Sequence, residues 1–377
     1  MDTSKLSTWV EVDLGAIQHN YRRLKVITGG PVMPIIKANA YGHGLTEVAR
    51  ALEAGGADWL GVARIEEALA VRQAGVGCNL LVLGYVSPLR AAEAAAERIT
   101  LTAFAPDQAA ELSAQAAAAG LTVTVHAKID IGMGRLGVFV QDAAAFLRRM
   151  AELPGLKVTG MFTHFPLSDE PENPLALRHV ERMLALEQSL REQGLRPPLV
   201  HACNSAAAFY FPTAHFDMVR SGIAIYGLNP SDEAPLPPDS GLIRALTWKS
   251  RLVSIKEFPA GQGIGYNYRY TTTQTERIGT AAVGYCDGIR RRTGNFLLVG
   301  GKIVPVRGGM CMDQCMVSLL DLPDARVGDE VVVIGRQGEA QIAPEDLGRA
   351  WNTNNYDAVC SITARVPRLY FYGNHGD

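Results

Sequence analysis

Short apolar runs rich in Val, Ile and Leu punctuate the first 220 residues of the chain, at 32–36, 59–62, 80–83, 99–103, 123–129, 158–163, 199–202 and 218–220. Each has the length of a strand buried on both faces. The intervals between them have helical character. Ser87-Pro88 reads as an N-cap followed by proline at the first helical position, and Pro106-Asp107 opens an alanine-rich stretch that stops at Gly120. Residues 175–193 are long, charged and periodic enough for an exposed amphipathic helix. Strands alternating with helices predict a parallel sheet. Eight such units in about 225 residues match a closed (β/α)8 barrel of the TIM type. The alternative, an open doubly wound sheet, seldom runs through eight right-handed units without an antiparallel edge.

Residues 229–241 are polar and proline-rich, the texture of a linker. Beyond them the pattern changes to short β-branched runs at 249–255, 279–283, 296–299, 302–306, 316–320 and 331–334, separated by Gly, Pro and Asp turns. That predicts a mostly antiparallel β-domain with no long helix before 344–351. The expected organisation is an α/β chain: a barrel over residues 1–240 and a β-domain over 241–377. Residues 1–10, in a segment where polar and apolar positions alternate, are free to pair with the second domain.

Composition narrows the function. The chain has 377 residues, 47% apolar and 20% charged, which suits a globular protein of two domains. With 36 basic and 38 acidic residues, a net charge of -2 leaves no electrostatic footprint for nucleic acid. The one cationic run, Arg290-Arg291-Arg292, reads as a solvated loop or as a rim that attracts a small anion. No stretch approaches the roughly 20 apolar residues of a membrane span, and the N-terminus lacks the apolar core of a secretory signal. Six scattered cysteines without a C-x-x-C pair are poor material for zinc or a disulfide framework. A cytoplasmic protein with free thiols and no bound metal is expected.

In a barrel, the carboxyl ends of the strands face the active site. Lys37 ends the first strand, in Ile36-Lys37-Ala38-Asn39-Ala40-Tyr41-Gly42-His43-Gly44. Such a lysine either snorkels to solvent or serves as a Schiff-base former, whose imine removes the problem of a buried ammonium. After the fifth strand, Gly132 to Gly137 spells G-x-G-x-x-G. The dinucleotide reading fails there, because that motif belongs to the first strand–helix turn and Lys157 stands where its acid should be. The glycines more plausibly bend a loop that brings Arg135 to the site. Thr163-His164-Phe165 ends the sixth strand, and its histidine is more often structural than catalytic. Strands seven and eight end in His201-Ala202-Cys203-Asn204-Ser205 and Arg220-Ser221-Gly222-Ile223, where barrels commonly hold phosphate. The barrel alone therefore points to a phosphate-bearing ligand with a lysine opposite. In the second domain, the tyrosine-dense Gly265-Tyr266-Asn267-Tyr268-Arg269-Tyr270 and the sulfur-rich Gly309-Met310-Cys311-Met312-Asp313-Gln314-Cys315-Met316 are each also explained by simple packing.

Taken in order, these segments resemble alanine racemases over nearly the whole chain. Gly284-Tyr285-Cys286-Asp287-Gly288 and Arg365-Val366-Pro367 complete the set. The resemblance implies a fold-type III pyridoxal-phosphate isomerase, a head-to-tail homodimer that supplies D-alanine for peptidoglycan. It implies that Lys37 carries the cofactor as an imine. Tyr41, Ser205, Gly222, Ile223 and Tyr356 would hold the phosphate, and Arg220, backed by His201, the pyridine nitrogen. Arg135 would meet the phenolic oxygen, and Lys128 is similar to a lysine often present as a carbamate. Tyr266 of the partner subunit would be the second base, with His164 nearby. Met312 would offer a backbone amide to the substrate carboxylate, and Tyr285 and Tyr356 would line the entrance.

The chemistry fits those implied roles. Racemisation removes a proton from one face of the α-carbon and delivers one to the other, so two bases are needed: Lys37 for the D-face and Tyr266 for the L-face. A free tyrosine near pKa 10 is a poor base, and lowering it by about three units takes roughly 4 kcal/mol. His164 and the arginines are the candidates to supply that. An arginine at the ring nitrogen keeps it unprotonated, which weakens the electron sink. Rival readings are a serine or broad-specificity racemase, a fold-type III decarboxylase and a non-enzymatic pyridoxal-phosphate carrier. The decarboxylases carry a glycine-rich phosphate loop and an acid at the ring nitrogen, and a carrier needs no second base.

Overall fold

The computed structural model describes residues 2–231 and 235–375, so positions 232–234 of the proline-rich stretch lie outside it. Contacts divide the chain into two units. One comprises Ala16–Ala40 and Leu45–Ile243; the other takes the N-terminus up to Gly15, Tyr41–Gly44 and Arg244–Asn374. The first strand, β1 (Thr8–Asp13), belongs to the second of these.

The larger unit contains β2 (Val32–Pro34), β3 (Trp59–Val62), β4 (Asn79–Val82), β5 (Ile99–Ala103), β6 (Val123–Asp130), the short β7 (Val138–Phe139), β8 (Leu156–Phe162), β9 (Leu199–His201) and β10 (Val219–Ser221). Apart from β7, a side pairing of β6, these are the eight apolar runs of the sequence. β3, β4, β5, β6, β8 and β9 pair in parallel in that order, and β10 pairs with β2. The Ile35–Gly61 bridge joins β2 to β3. The amides of Asp217 and Arg220, donating to the carbonyls of Val200 and Cys203, bring the β10 segment against β9. The ring is closed. Leu60, Val62, Leu80, Leu81, Leu101, Val125, Ala127 and Val200 are fully buried, as expected of parallel strands covered on both sides.

Helices cover the outside where the periodicity placed them. Pro174–Glu192 begins at Asn173, whose side chain accepts from the Leu175 amide, and Pro106–Ala118 carries proline in its first turn. Ser87 precedes a turn with proline in first place but does not cap with its side chain, and that turn, Pro88–Arg90, runs on into the short helix Ala91–Ala96. The end of the proline-rich stretch is not loose. Arg23 donates to the carbonyls of Asp239 and Ser240, and Asn20 exchanges two hydrogen bonds with Ile243.

The smaller unit is built on β11 (Leu246–Phe258), followed by β12 (Gly263–Ile264), β13 (Tyr270–Thr271), β14 (Glu276–Ala281), β15 (Phe296–Val299), β16 (Lys302–Arg307), β17 (Cys315–Ser318), β18 (Glu330–Gln337), β19 (Ala340–Ile342) and β20 (Arg368–Phe371). β11 pairs antiparallel with β1, β14 and β18. Because β18–β15–β16–β17–β14 also pair in series, the sheet returns on itself through β11. Register shifts at Leu252/Ser254 and Trp248/Lys249 let this long strand bend between neighbours. β1 and β20 form the parallel exception.

Tyr41–Gly44 belongs to this unit because two glycines allow close approach. A Cβ on Gly42 (φ +82°) would meet the Val359 carbonyl oxygen at 2.1 Å, and Arg368 Nε donates to the Gly42 carbonyl. Overpacking against backbone and a left-handed φ act together here, so Gly42→Ala is expected to lower stability by about 3 kcal/mol. Chemical denaturation measures it; a wild-type midpoint would show that the Val359 segment yields freely.

Candidate active site

Lys37 stands at the end of the β2 segment and begins a turn of unusual backbone. Ala38, Asn39, Ala40 and Tyr41 all have φ between 52° and 56°. Each non-glycine residue in that left-handed region costs roughly 1–2 kcal/mol, so the turn must be held from outside. Glu67 holds part of it. One carboxylate oxygen accepts the Ala38 amide at 2.6 Å and the other accepts the amides of Ala63 and Arg64. Asn39 accepts the Leu45 amide at 2.9 Å, and the Ala40 amide reaches back to the Ile36 carbonyl. The effect is to turn the chain away at once and leave Lys37 at the strand tip.

Inside the barrel mouth, cations gather around a buried arginine. Arg220 is buried and donates from Nη1 to His201 Nδ1 at 3.0 Å and from Nη2 to the carbonyls of Thr163 and Ala202. Its Nη2 lies 3.5 Å from His164 Nδ1. Burial draws Arg220 down to about 10, which still leaves it protonated at neutral pH. The Phe162 ring stacks on His201, with Lys128 Nζ and the Arg220 guanidinium over it at 4.7 and 5.2 Å. Burial pushes the Lys128 ammonium well below its usual range, and Arg220 and Arg135 push the same way. His164 is lowered by burial, then by Arg220, Lys128, Arg135 and Lys37 in turn. The one neighbouring acid, Asp130, has its carboxylate committed to the amides of Gly132, Met133 and Gly134. Arg135 rides on that braced loop with its side chain exposed.

Ser205 opens the helix Ser205–Tyr210, capped by Asn204. Its Oγ accepts the amides of Gly222 and Ala224 and lies 3.3 Å from Ser221 Oγ. The Gly222 amide is therefore occupied. The Ile223 amide starts a short turn, where no intrahelical acceptor exists.

The remaining predicted residues lie in the smaller unit. Tyr41 and Tyr356 are ring neighbours at 6.1 Å, and burial raises Tyr41, so it stays a phenol. The Tyr285 and Cys286 amides donate to the carbonyls of Cys311 and Met312, and Arg365 bridges Asp287 and Asp313. Tyr285 and Met312 are thereby held on adjacent segments. Arg291 stands over the Tyr285 ring and reaches the Met310 carbonyl, while Arg290 pairs with Asp357, so the arginine run is structured. Tyr266 is 61% exposed on a turn between β12 and β13.

The sequence reading passed over Glu67, Asp130 and His126. His126 is two residues before Lys128 on the same strand and shares its face. That spacing was the available signal. Glu67 and Asp130 carry none, because their partners are backbone amides.

Comparison with known proteins adds two family models: the alanine racemase N-terminal domain over residues 12–230 and the alanine racemase C-terminal domain over 245–370. The chain is 43% identical to an alanine racemase of Symbiobacterium thermophilum, covering 96% of this chain and 97% of that one. It is 42% identical to one of Geobacillus stearothermophilus, with 97% and 93% covered. Among solved structures, alanine racemase of Clostridium difficile superimposes with a TM-score of 0.92 at 34% identity, covering 98% and 97%. That of Bacillus anthracis with bound L-Ala-P gives 0.90 at 37%, covering 97% and 95%.

Two outcomes follow from this geometry. Ala38→Gly is expected to leave stability unchanged or raise it by up to about 1 kcal/mol, and Ala38→Val to lower it, since a β-branched residue tolerates left-handed φ worst. Equal effects in thermal melts would mean that the turn is not strained. Acidification should also destabilise the protein. His126, held at about 3, and His164 and His201, both held well below 6.5, refuse protons that the unfolded chain accepts. Their contribution is therefore complete above about pH 6.5 and is lost as pH falls towards the folded values, at up to about 1.4 kcal/mol per pH unit for each. Denaturation midpoints that stay flat between about pH 7 and 4 would contradict this.

Proposed function

The chain belongs to the alanine racemase family, and on that footing we propose that it interconverts L- and D-alanine, with pyridoxal phosphate as its cofactor and Lys37 as the residue that holds it. The observation that carries the reading is the cationic cluster around Arg220, whose guanidinium is held by two carbonyls and an imidazole. A protonated guanidinium, an unprotonated His164, Lys128 and Lys37 share one barrel mouth, and Asp130 is committed elsewhere. That donor set suits a ligand bearing phosphate, a phenolic oxygen and a carboxylate.

Pyridoxal phosphate, when bound to the amino group of alanine, withdraws electrons and makes the α-hydrogen acidic. Arg220 would hold the ring nitrogen through a hydrogen not used by His201, Thr163 or Ala202. Because arginine does not yield its proton, Arg220 would leave the ring nitrogen unprotonated and the group a weaker electron sink than one held by an acid. Arg135 meets the phenolic oxygen and the substrate carboxylate, and the Met312 amide meets the carboxylate as well. Ser205, Ile223, Gly222, Tyr41 and Tyr356 hold the phosphate, Gly222 through its bond to Ser205. Lys128, with its proton weakened, is the amine form that takes up carbon dioxide. As a carbamate it would place a negative charge between Arg135 and Arg220.

Proton transfer needs one base on each face. Lys37 Nζ takes or returns the α-proton on the D-face. Tyr266 of the partner subunit does so through Oη on the L-face, which accounts for the exposure of that side chain in a single chain. The protein then works as a homodimer, in the cytoplasm, supplying D-alanine for peptidoglycan. Tyr285, Tyr356 and Met312 narrow the side-chain pocket, which favours a methyl group over the hydroxymethyl of serine.

Borohydride reduction followed by peptide mapping is expected to leave a pyridoxyl group on Lys37; label on another lysine would overturn the assignment. Tyr266→Phe should lower the rate from L-alanine by about 100-fold or more, the usual contribution of a general base. It should spare α-hydrogen exchange of D-alanine with deuterated solvent. Equal loss in both directions of exchange would remove the two-base reading.

A further inference from the structure

We infer that His126 is a positioning residue for the Arg220 site, the third member of a hydrogen-bond chain whose direction is fixed by its first. The chain is short and fully buried. Arg220 Nη1 lies 3.0 Å from His201 Nδ1, and His201 Nε2 lies 2.9 Å from His126 Nδ1. A guanidinium has only donors. His201 Nδ1 must therefore accept, and the single proton of the neutral ring sits on Nε2. That N–H donates to His126 Nδ1, so the His126 proton is forced to Nε2. His126 Nε2 has no hydrogen-bond partner among the described residues. A buried donor left unpaired is costly, and a fold that keeps one has a use for the atom opposite.

The surrounding backbone is shaped to keep His126 there. In the β6–β8 pairing the register slips between Val125 and His126, so Val125 faces Val158 while His126 faces Gly160. Bulges of this kind re-aim side chains. A Cβ on Gly160 would meet the His126 ring at 2.7 Å, so glycine is required beside it. On other sides the ring meets Trp59 at 5.3 Å and His201 at 5.1 Å. Burial holds both histidines neutral, which the chain requires.

The consequence is directional. With His201 anchored at Nε2, its Nδ1 lone pair points at one Nη1 hydrogen, and the Thr163 and Ala202 carbonyls take both Nη2 hydrogens. Of five guanidinium hydrogens three are committed among the described residues, which leaves one on Nε and one on Nη1 for the proposed ligand. Without His126, the His201 Nε2–H loses its acceptor, so the ring is no longer anchored and can swing its Nδ1 off Arg220, which frees the guanidinium to turn. This rests on the proposed role of Arg220 toward the cofactor, but the tautomers themselves do not.

Nitrogen NMR of isotopically labelled histidine in the cofactor-free wild-type protein is expected to show both His126 and His201 protonated at Nε2. A scalar coupling should join His201 Nε2 to His126 Nδ1. A proton on His201 Nδ1 overturns the inference, whether or not the protein proves to be a racemase. In the loaded enzyme, His126→Leu should lower kcat about tenfold, the scale on which outer-shell partners of histidine act, and leave KM within about twofold. It should also move the absorption band of the bound cofactor. His126→Asn, which keeps an acceptor at the place of Nδ1, should restore kcat and the band. Wild-type behaviour of His126→Leu, or equal loss in both variants, would make the residue merely structural. Failure of the wild-type protein to take up pyridoxal phosphate would remove the proposed function and leave the tautomer result standing.

Discussion

Burying a guanidinium that cannot be neutralised constrains everything around it. Among the described residues no carboxylate pairs with Arg220 in the barrel, and an unpaired buried charge is among the most costly features a fold can carry. Neutral acceptors stabilise it: two carbonyls and one imidazole nitrogen. Each of those acceptors then loses a freedom. His201 is confined to one tautomer, Thr163 and Ala202 keep their carbonyls turned inward, and His164 and Lys128 are pressed toward their uncharged forms. The positive potential that remains is the feature an anionic ligand would meet.

The backbone beside Lys37 is strained and is braced at several points. Four successive left-handed residues after Lys37 would not persist alone. Asn39 ties that turn to the start of the next helix, Leu45–Ala54, and Glu67 ties it to the start of the one after, Ile65–Gln73. The Asp130 carboxylate does similar work for the loop that carries Arg135. Both acids accept backbone amides, which gives rigidity, and Asp130 also favours the Lys128 ammonium against the burial and the arginines that lower it. A catalytic lysine gains from such an arrangement, because its amine must meet a substrate atom within a few tenths of an ångström.

Division of labour between the two units follows from their architectures. Parallel strands end together at one face, which suits the holding of a large planar ligand by many side chains. The antiparallel unit presents its chemistry on turns: Tyr266 between β12 and β13, and Tyr285 and Met312 on adjacent segments clamped by Arg365. Turns can lie far from their own unit's core, and an exposed Tyr266 is suited to a site on another copy of the chain.

The sequence by itself determined the succession of elements. Eight apolar runs separated by helical intervals left few alternatives to a barrel, and β-branched runs after residue 245 predicted antiparallel pairing, because such patterns follow from local burial alone. It also marked Lys37, Arg220, Ser205 and Tyr266 by their positions at strand ends and on a turn, while their roles came from resemblance to a family. Tertiary structure decided the rest. The return of the second sheet through β11, the left-handed turn after Lys37 and the cationic surroundings of Arg220 all depend on residues far apart in the chain. His126 illustrates the divide. Its place two residues before Lys128 was visible, but its meaning comes from a bulge opposite Gly160 and from a histidine 75 positions away. Periodicity reports which face a side chain occupies; only packing reports which atom it meets there.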